Sequence, residues 1–365
     1  MNTITDYLHR KASANAVPLS GSFELSPVCN FSCKMCYIRK TPQQITKEGG
    51  SLIDWKDWLA LAKDCREAGM LYLLLTGGEP FLYPNFRKLY ESLHEMGLLL
   101  SINTNASLID EEVIEWLKAR APVRINATLY GASRQTYGRI CGNPDGYDKA
   151  VWAIRKLVEL GIPVVINASM IPENSEDLEA IVHFGRELAL NTRISHYMFP
   201  PVRREREKTD SRFAPEVAAQ MYMRRIKCMY EPEYLHNMLQ KQTEKKPEDT
   251  WGSYGDYMCC RAGRSSFWIS WTGKMTACGL FDFPIVKEPF REPFACCWKE
   301  LTHLVRTTPV LESCYECSLR DICNPCAATV HAECGDVNGK AEYLCRMAEC
   351  TRDDIFAYLK EANHE

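Results

Sequence analysis

The sequence predicts an α/β fold: a partial (β/α)6 barrel followed by a small cysteine-rich domain. Three observations predict it. Between residue 22 and about residue 200, six short apolar runs alternate with longer stretches of helical periodicity. Polar and small residues suited to a site fall just after those runs, where sites in parallel sheets lie. The cysteines are divided unevenly, with six before residue 250 and twelve from Cys259 to Cys350.

Phe23-Glu24-Leu25 reads as the first strand. Asp54 to Ala68 reads as a helix, because Trp55, Trp58, Leu59, Leu61 and Ala62 recur at helical spacing. Leu71–Leu75 is a continuous apolar strand that ends in Thr76-Gly77-Gly78-Glu79-Pro80. Phe86 to Met96 is the next helix, stopped by Gly97. Leu98–Ile102 is a strand ending in Asn103-Thr104-Asn105, and Asp110 to Ala119 is helical. Val123–Leu129 is a strand and Tyr147–Leu160 a helix. Pro163–Met170 is the fifth strand, followed by a helix over Ser175–Leu188 whose Ser175, Asp177 and Leu178 suit a capped start. Arg193–Phe199 is the sixth strand. Such units imply a parallel sheet with helices outside, since each crossover is right-handed. Six are too few for an eight-fold barrel and enough for a partial one. The expected division is an N-terminal segment (1–21), the barrel (22–201), a charged helical linker (202–258) and the cysteine-rich domain (259–365). In the linker, Arg203 to Lys208 is a charge run that reads as a solvated face, and Glu216–Lys227 and Glu233–Gln242 are helical.

Composition narrows the class. The chain has 365 residues, 46% hydrophobic and 25% charged, which is ordinary for a globular protein. A net charge of −3 and a pI near 6.3 point to neither nucleic acid nor an anionic membrane. No run reaches membrane-span length and no signal peptide is apparent, so a cytoplasmic location is expected. Eighteen cysteines without a secretion signal favour metal ligation over disulfides.

The sharpest signal is Cys29-Asn30-Phe31-Ser32-Cys33-Lys34-Met35-Cys36, a C-x3-C-x2-C spacing on a loop after the first strand. Three thiolates so placed can ligate three irons of a cubane and leave the fourth without a protein ligand. An open position on a metal is where something reactive binds. The bland readings are a chance cluster or part of a zinc site. Tyr37 follows Cys36 directly, and Gly77-Gly78-Glu79-Pro80 follows a later strand. With these, the chain resembles the radical S-adenosylmethionine (SAM) superfamily. The resemblance implies a [4Fe-4S] cluster on Cys29, Cys33 and Cys36, with its open iron chelated by the SAM amino and carboxylate groups. It implies a 5'-deoxyadenosyl radical that takes hydrogen from a substrate, and a barrel of six β–α units with SAM across the strand ends. It places the SAM amino group at backbone carbonyls and Glu79 of the Gly77-Gly78-Glu79-Pro80 motif.

The second half carries Cys260, Gly273 and Cys278, then Cys314-x2-Cys317-x5-Cys323-x2-Cys326, Cys334, Cys345 and Cys350. By themselves two C-x2-C pairs also suit a zinc ribbon. Beside the barrel they resemble the SPASM domain, with two residues in place of three before Cys326. The resemblance implies two auxiliary [4Fe-4S] clusters. Cys260, Cys278 and Cys326 would hold the nearer one, its fourth ligand being Cys259, Cys334, a distant cysteine or none. Cys314, Cys317, Cys323 and Cys345 would hold the farther one. Cys65, Cys141, Cys296 and Cys297 read as buried small hydrophobes.

Asn103, Thr128 and Asn167 offer polar groups at strand ends, suited to a ribose or carboxylate or to local turn bonding. His9 and His196 read as structural, and Tyr130, Tyr137 and Tyr197 as packing. SPASM proteins mostly act on peptides or proteins. The expectation is therefore a ribosomally made peptide or protein side chain, oxidised or cross-linked, with a flavodoxin- or ferredoxin-type electron donor. The chain before Cys29 is short for a fused leader-binding domain, so a separate leader-peptide-binding protein is one possible partner. The rivals are a small-molecule enzyme, such as a tetrapyrrole decarboxylase, and a non-catalytic iron–sulfur or zinc scaffold. Sulfatase maturases, also similar, carry an aspartate base directly after the cysteine that ends the G-x4-C motif. Here Gly279-Leu280-Phe281 follows Cys278, and the first carboxylate is Asp282, roughly 10 Å further on in an extended chain. Asp282 is thus the one weak candidate for a catalytic base, and aldehyde formation is not expected.

Overall fold

In the computed structural model, which describes residues 3–201, 211–244 and 257–362, eight strands form one sheet. They are β1 (Ser20–Glu24), β2 (Tyr72–Thr76), β3 (Leu99–Thr104), β4 (Arg124–Thr128), β5 (Val164–Ser169), β6 (Asn191–Ser195), β7 (Ser266–Ile269) and β8 (Met275–Thr276). Their order is β6-β5-β4-β3-β2-β1-β7-β8. Every pairing is parallel except β7 with β8. The first six strands lie side by side in chain order, as successive β–α crossovers of one hand require. This is a partial, open barrel.

The helices are α1 (Ile4–Ala14), α2 (Pro42–Lys47), α3 (Trp55–Glu67), α4 (Phe86–Glu95), α5 (Glu111–Ala119), α6 (Arg134–Cys141) and α7 (Gly146–Glu159). After these come α8 (Leu178–Glu187), α9 (Pro215–Met229), α10 (Pro232–Glu244), α11 (Phe294–Thr307), α12 (Arg320–Cys323), α13 (Ala327–Cys334) and α14 (Glu342–Ala362). Helical periodicity decides which faces they bury. In α3, Trp58, Leu61, Ala62 and Cys65 form the buried stripe, and the Asp54 side chain caps the Lys56 N–H at 2.9 Å. In α4 the stripe is Phe86, Leu89, Tyr90 and Leu93, and Gly97 at φ +79° takes the left-handed turn that ends it.

Strand alternation gives the sheet two unlike faces. Leu73 and Leu75, Leu100 and Ile102, Ile125 and Ala127, and Ile166 and Ala168 are buried in the main apolar core. The residues between them are Leu74, Ser101, Asn103, Arg124, Asn126, Thr128, Asn167 and Ser169. A period of two puts these on the opposite face. A closed barrel fills that face with branched apolar side chains; here it is lined with amides and hydroxyls.

Several boundaries differ from expectation. The sixth strand is Asn191–Ser195, earlier than Arg193–Phe199. Ser175 does not cap α8. It lies within a 3-10 turn, Pro172–Asp177, and its hydroxyl donates to Pro172 O at 3.0 Å. The buried residue there is Asn174, which accepts from Ile171 N and donates to Tyr130 O and Ser169 O, at 2.8, 2.9 and 3.0 Å. The charge run over 203–208 lies outside the described residues. The two linker helices, α9 and α10, do more than present a solvated face. Met223, Ile226, Leu235 and Leu239 join Ile355 of α14 in a second apolar core.

The two halves of the chain share one sheet. The β7–β8 hairpin belongs to the cysteine-rich half, yet β7 adds to the barrel edge, Ser20 opposite Ser266 and Phe23 opposite Ile269. The N-terminal segment contains α1, which a Thr3–Asp6 capping box starts. It is tied to the second half by His9 Nδ1 with Ser265 Oγ at 3.0 Å and by Asp6 with Arg261 at 2.7 Å. Among the described residues no helix is long and apolar enough to cross a membrane.

Candidate cluster and cofactor site

The three-cysteine loop leaves the carboxyl end of β1 and is fixed from both sides. Ser32 N donates to Cys141 O at 2.8 Å and Lys34 N to Ile140 O at 3.1 Å, which hangs the loop on the end of α6. Phe31, fully buried, packs edge-on against Tyr130 and Tyr137. On the other side, Gly78 N donates to Ser26 O at 2.7 Å and Glu79 N to Val28 O at 2.9 Å. Two glycines are needed for this approach. A Cβ at Gly77 or Gly78 would collide with Ser26 O or Val28 O, and Gly77 sits at φ +150°.

Glu79 is wholly buried. Its Oε1 accepts from Thr104 Oγ1 at 2.8 Å and Phe81 N at 3.3 Å, and its Oε2 from Asn105 N at 2.8 Å. Burial outweighs these donors and pushes its carboxyl up to about 7. Glu79 therefore ties the end of β2 to the end of β3, and Pro80 opens the short 3-10 turn that follows.

The sulfurs already receive hydrogen bonds. Phe31 N and Asn105 Nδ2 donate to Cys29 Sγ at 3.4 and 3.7 Å, and Arg39 N donates to Cys36 Sγ at 3.3 Å. Tyr130 donates to the Cys33 sulfur, beside which the Cys141 thiol also lies. Burial pushes the Cys29 thiol up to about 12; contact with Cys141, then burial, raises that of Cys33. Neutral thiols are what such a pocket favours until a metal charge inverts the balance. Three cysteines on one loop, with amide donors aimed at two of their sulfurs, fit an iron–sulfur cluster. Tyr37 is half-buried just beyond them.

Sequence reading puts Asn105 at a strand end without a role, and missed Ser107 and Asn126. Asn105 donates to Asn30 Oδ1 at 2.9 Å, and Asn30 donates to Ser107 Oγ at 2.8 Å, which locks the Cys29 end of the loop to β3. Asn126 donates to Asn103 Oδ1 at 2.7 Å across the polar face of the sheet, while its own buried Oδ1 has no hydrogen-bond partner among the described residues. The signal was present: Arg124, Asn126 and Thr128 alternate through an otherwise apolar strand. Thr128 is the register partner of Asn167 at the carboxyl ends of β4 and β5. Tyr130 and Tyr197 do more than pack, since Tyr197 OH donates to Glu333 at 2.6 Å. His9 and His196 are held neutral, burial lowering each to about 4.

In the cysteine-rich half, Cys260, Cys278 and Cys326 line one cavity of about 300 Å³ together with Cys259. Cys314, Cys317, Cys323 and Cys345 form the second group. Burial and the charges of the other three push Cys323 up to about 12. Among the described residues no three His, Cys, Asp or Glu side chains close on a single-ion position. A cubane is wider than one ion, so its ligand sulfurs must stand farther apart. Cys296 departs from expectation. Cys297 joins the buried stripe of α11 with Trp298 and Leu301, and helical period turns Cys296 outward, where it is exposed.

Asp282 is placed otherwise than an extended chain would place it. Phe281 N reaches back to Cys278 O at 3.4 Å, so residues 278–281 make a tight reversal. Asp282 is exposed in a groove of about 880 Å³ at the carboxyl ends of β1 and β7, with Lys40, Glu48, Lys274, Arg291 and His331. Gly279 lies against the Trp268 ring, where a Cβ would come within 2.7 Å.

Residues 23–185 match the family model "Radical SAM superfamily". The AdoMet-dependent heme synthase of Methanosarcina barkeri is 24% identical over 341 residues, 86% of this chain and 93% of that protein. A probable GTP 3',8-cyclase of Saccharolobus islandicus is 29% identical over 170 residues, 46% of this chain and about half (53%) of the cyclase. The fold is shared with Streptococcus suis SuiB bound to its precursor peptide SuiA, at TM-score 0.64 and 17% identity, over 93% of this chain and 80% of SuiB. It is shared with anSMEcpe bound to AdoMet and a peptide, at TM-score 0.68 and 16% identity, over 94% of this chain and 98% of that one. Residues 23–185 thus match the radical SAM superfamily, a domain type that implies SAM and a [4Fe-4S] cluster, and the chain shares its fold with SuiB and anSMEcpe.

Proposed function

We propose that the enzyme oxidises or cross-links a side chain of a ribosomally made peptide or protein. In this reading Cys29, Cys33 and Cys36 hold the [4Fe-4S] cluster, and Tyr37, Gly77, Gly78, Glu79, Pro80, Asn103, Thr128 and Asn167 surround SAM. When bound, SAM and the reduced cluster supply hydrogen-abstracting radical chemistry. The chain's own residues do the rest. The glycine pair lets the backbone pass close to Ser26 and Val28 at the start of the cysteine loop, Glu79 and Asn105 hold that loop still, and the amide-lined face of β3 to β5 orients polar groups of the ligands. Cys260, Cys278, Cys326, Cys314, Cys317, Cys323 and Cys345 hold two auxiliary clusters that pass electrons, and a flavodoxin- or ferredoxin-type protein supplies them.

The observation that carries the peptide reading is the open groove at the barrel mouth. At about 880 Å³ it carries both charge signs, Lys40, Lys274 and Arg291 against Glu48 and Asp282. That suits an extended backbone with mixed side chains better than one compact ligand. A substrate docks there directly or is delivered by a separate leader-peptide-binding protein. Aldehyde formation is disfavoured: a base directly after Cys278 would need a side chain where Trp268 leaves no room.

A second reading, a small-molecule enzyme of the tetrapyrrole decarboxylase kind, draws on the match to a heme synthase over 341 residues. Anaerobic co-expression with a short peptide encoded beside the gene, read by mass spectrometry, separates the two. A loss of about 2 Da per modified site supports the peptide reading, since each oxidative link removes two hydrogens. An unmodified peptide, together with turnover of a propionate-bearing tetrapyrrole, overturns it.

A further inference from the structure

The nearer auxiliary cluster has three expected ligands, and the cavity of about 300 Å³ supplies a fourth. Cys259, Cys260, Cys278 and Cys326 all line it, and most of the remaining wall is apolar, including Ala262, Phe281, Val310 and Leu311. Cys334 is not in that wall. It ends α13, which begins directly after Cys326, so eight residues of helix carry it about 12 Å away. Its thiol donates to Val330 O at 3.2 Å and to Asp336 O at 3.3 Å. The remaining cysteines outside the two groups and the Cys29–Cys36 loop are elsewhere: Cys65, Cys141 and Cys297 are buried in α3, α6 and α11, Cys296 is exposed on α11, and Cys228 and Cys350 lie on α9 and α14.

We infer that Cys259 is the fourth ligand of the cluster held by Cys260, Cys278 and Cys326, a vicinal pair on one cubane that leaves it no open iron. The inference rests on the reading that these cysteines hold iron and sulfide. Each thiol loses its proton on ligation. The functional consequence is specific. A fully ligated cluster cannot take a substrate atom as ligand, so the substrate meets iron nowhere in this half, and the site passes electrons only. Cys259 and Cys260 are both exposed at the cavity edge, where the first charge each feels from another cysteine is that of Cys326.

The test uses the full chain, loaded anaerobically with 57Fe and sulfide, and reads iron content, Mössbauer and EPR spectra. About 12 iron per chain are expected in the wild type and in Cys334→Ala, with matching spectra. Cys259→Ala is expected to change the EPR signal of one cluster and to lose about one iron on mild oxidation, as a cubane missing one protein ligand releases its open iron. Added cyanide is expected to shift that auxiliary signal in Cys259→Ala and to leave it unmoved in the wild type when SAM covers the first site. The wild-type arm needs no variant to fold. Unchanged Cys259→Ala spectra, a cyanide-sensitive auxiliary cluster in the wild type, or an altered cluster in Cys334→Ala overturns the assignment. About four iron per chain, or zinc alone, would also end it, by removing the cluster reading itself.

Discussion

The chain carries cysteine sites in two regions built on opposite plans. The Cys29–Cys36 loop sits on a finished scaffold. Backbone bonds to Ile140, Cys141, Ser26 and Val28, the Asn30–Asn105–Ser107 amide network and buried Phe31 anchor it through protein contacts. The stretch from Glu312 to Cys323 is a 3-10 turn and one turn of helix, and neither buries a single residue. A segment whose apolar contact with the core is limited to half-buried Cys314, Tyr315 and Cys323 has little to offset its chain entropy. Such small modules get their folding free energy from the metal. The first site is a socket built by the protein's own contacts, and on the proposed reading the second is made by its cluster.

Iron removal is the strongest way to break that comparison. Stripping the clusters with a chelator under reducing anaerobic conditions should open residues 312–326, measured as amide exchange faster by well over tenfold, or more than about 1.4 kcal/mol of local stability. The amides of Ser32 and Lys34 should keep their protection. Equal loss at both sites would show that the barrel loop also depends on its metal. Conversely, changing Cys29, Cys33 and Cys36 together to Ala should remove about four iron and all reductive SAM cleavage, with the fold retained. Global unfolding of that variant would reverse the argument.

The barrel was legible because its code is local. Apolar runs of strand length, stripes at 3.6 spacing and Gly97 at a left-handed turn each act within a few residues. What stayed hidden acts over distance. The addition of β7 to β1 joins residues about 245 apart, and nothing in Ser266–Ile269 marks its partner. The Tyr130 hydroxyl on Cys33, and Asn105 on the cysteine loop, are side chains from other β–α units. At the start of α8 local rules misled: Ser175 has the right chemistry for a cap, but Asn174 has the buried position. Asn174→Leu should therefore cost about 3–5 kcal/mol, leaving the buried Ile171 N–H and the Ser169 and Tyr130 carbonyls without their partner. Ser175→Ala should cost under about 0.5 kcal/mol. Urea unfolding of both variants checks the ranking, and similar values would mean the turn is held by something else.

The socket should have one weakness of its own, at Glu79. Its carboxyl is wholly buried, with three neutral donors among the described residues and a pKa pushed up to about 7 by burial. In the unfolded chain the same group titrates near its ordinary value of 4.5. Between those values the folded state holds a proton that the unfolded state lacks. Stability tied to this proton is fully present below about pH 4.5, falls as pH rises through 7, and is gone above it. The shift corresponds to about 3 kcal/mol at 1.36 kcal/mol per unit. His9 and His196, lowered to about 4, act with the opposite sign over the same range, because their neutral folded forms gain stability as pH rises. Total stability therefore mixes both trends, and the difference between wild type and Glu79→Gln isolates the carboxyl. Glutamine keeps the shape and one acceptor but cannot ionise. Its advantage over the wild type should grow between about pH 4.5 and 7 by up to about 3 kcal/mol, and should level off above that. Parallel stability curves for the two proteins would mean that the donors from Thr104, Asn105 and Phe81 suffice to keep Glu79 ionised, and that the link from β2 to β3 is indifferent to pH.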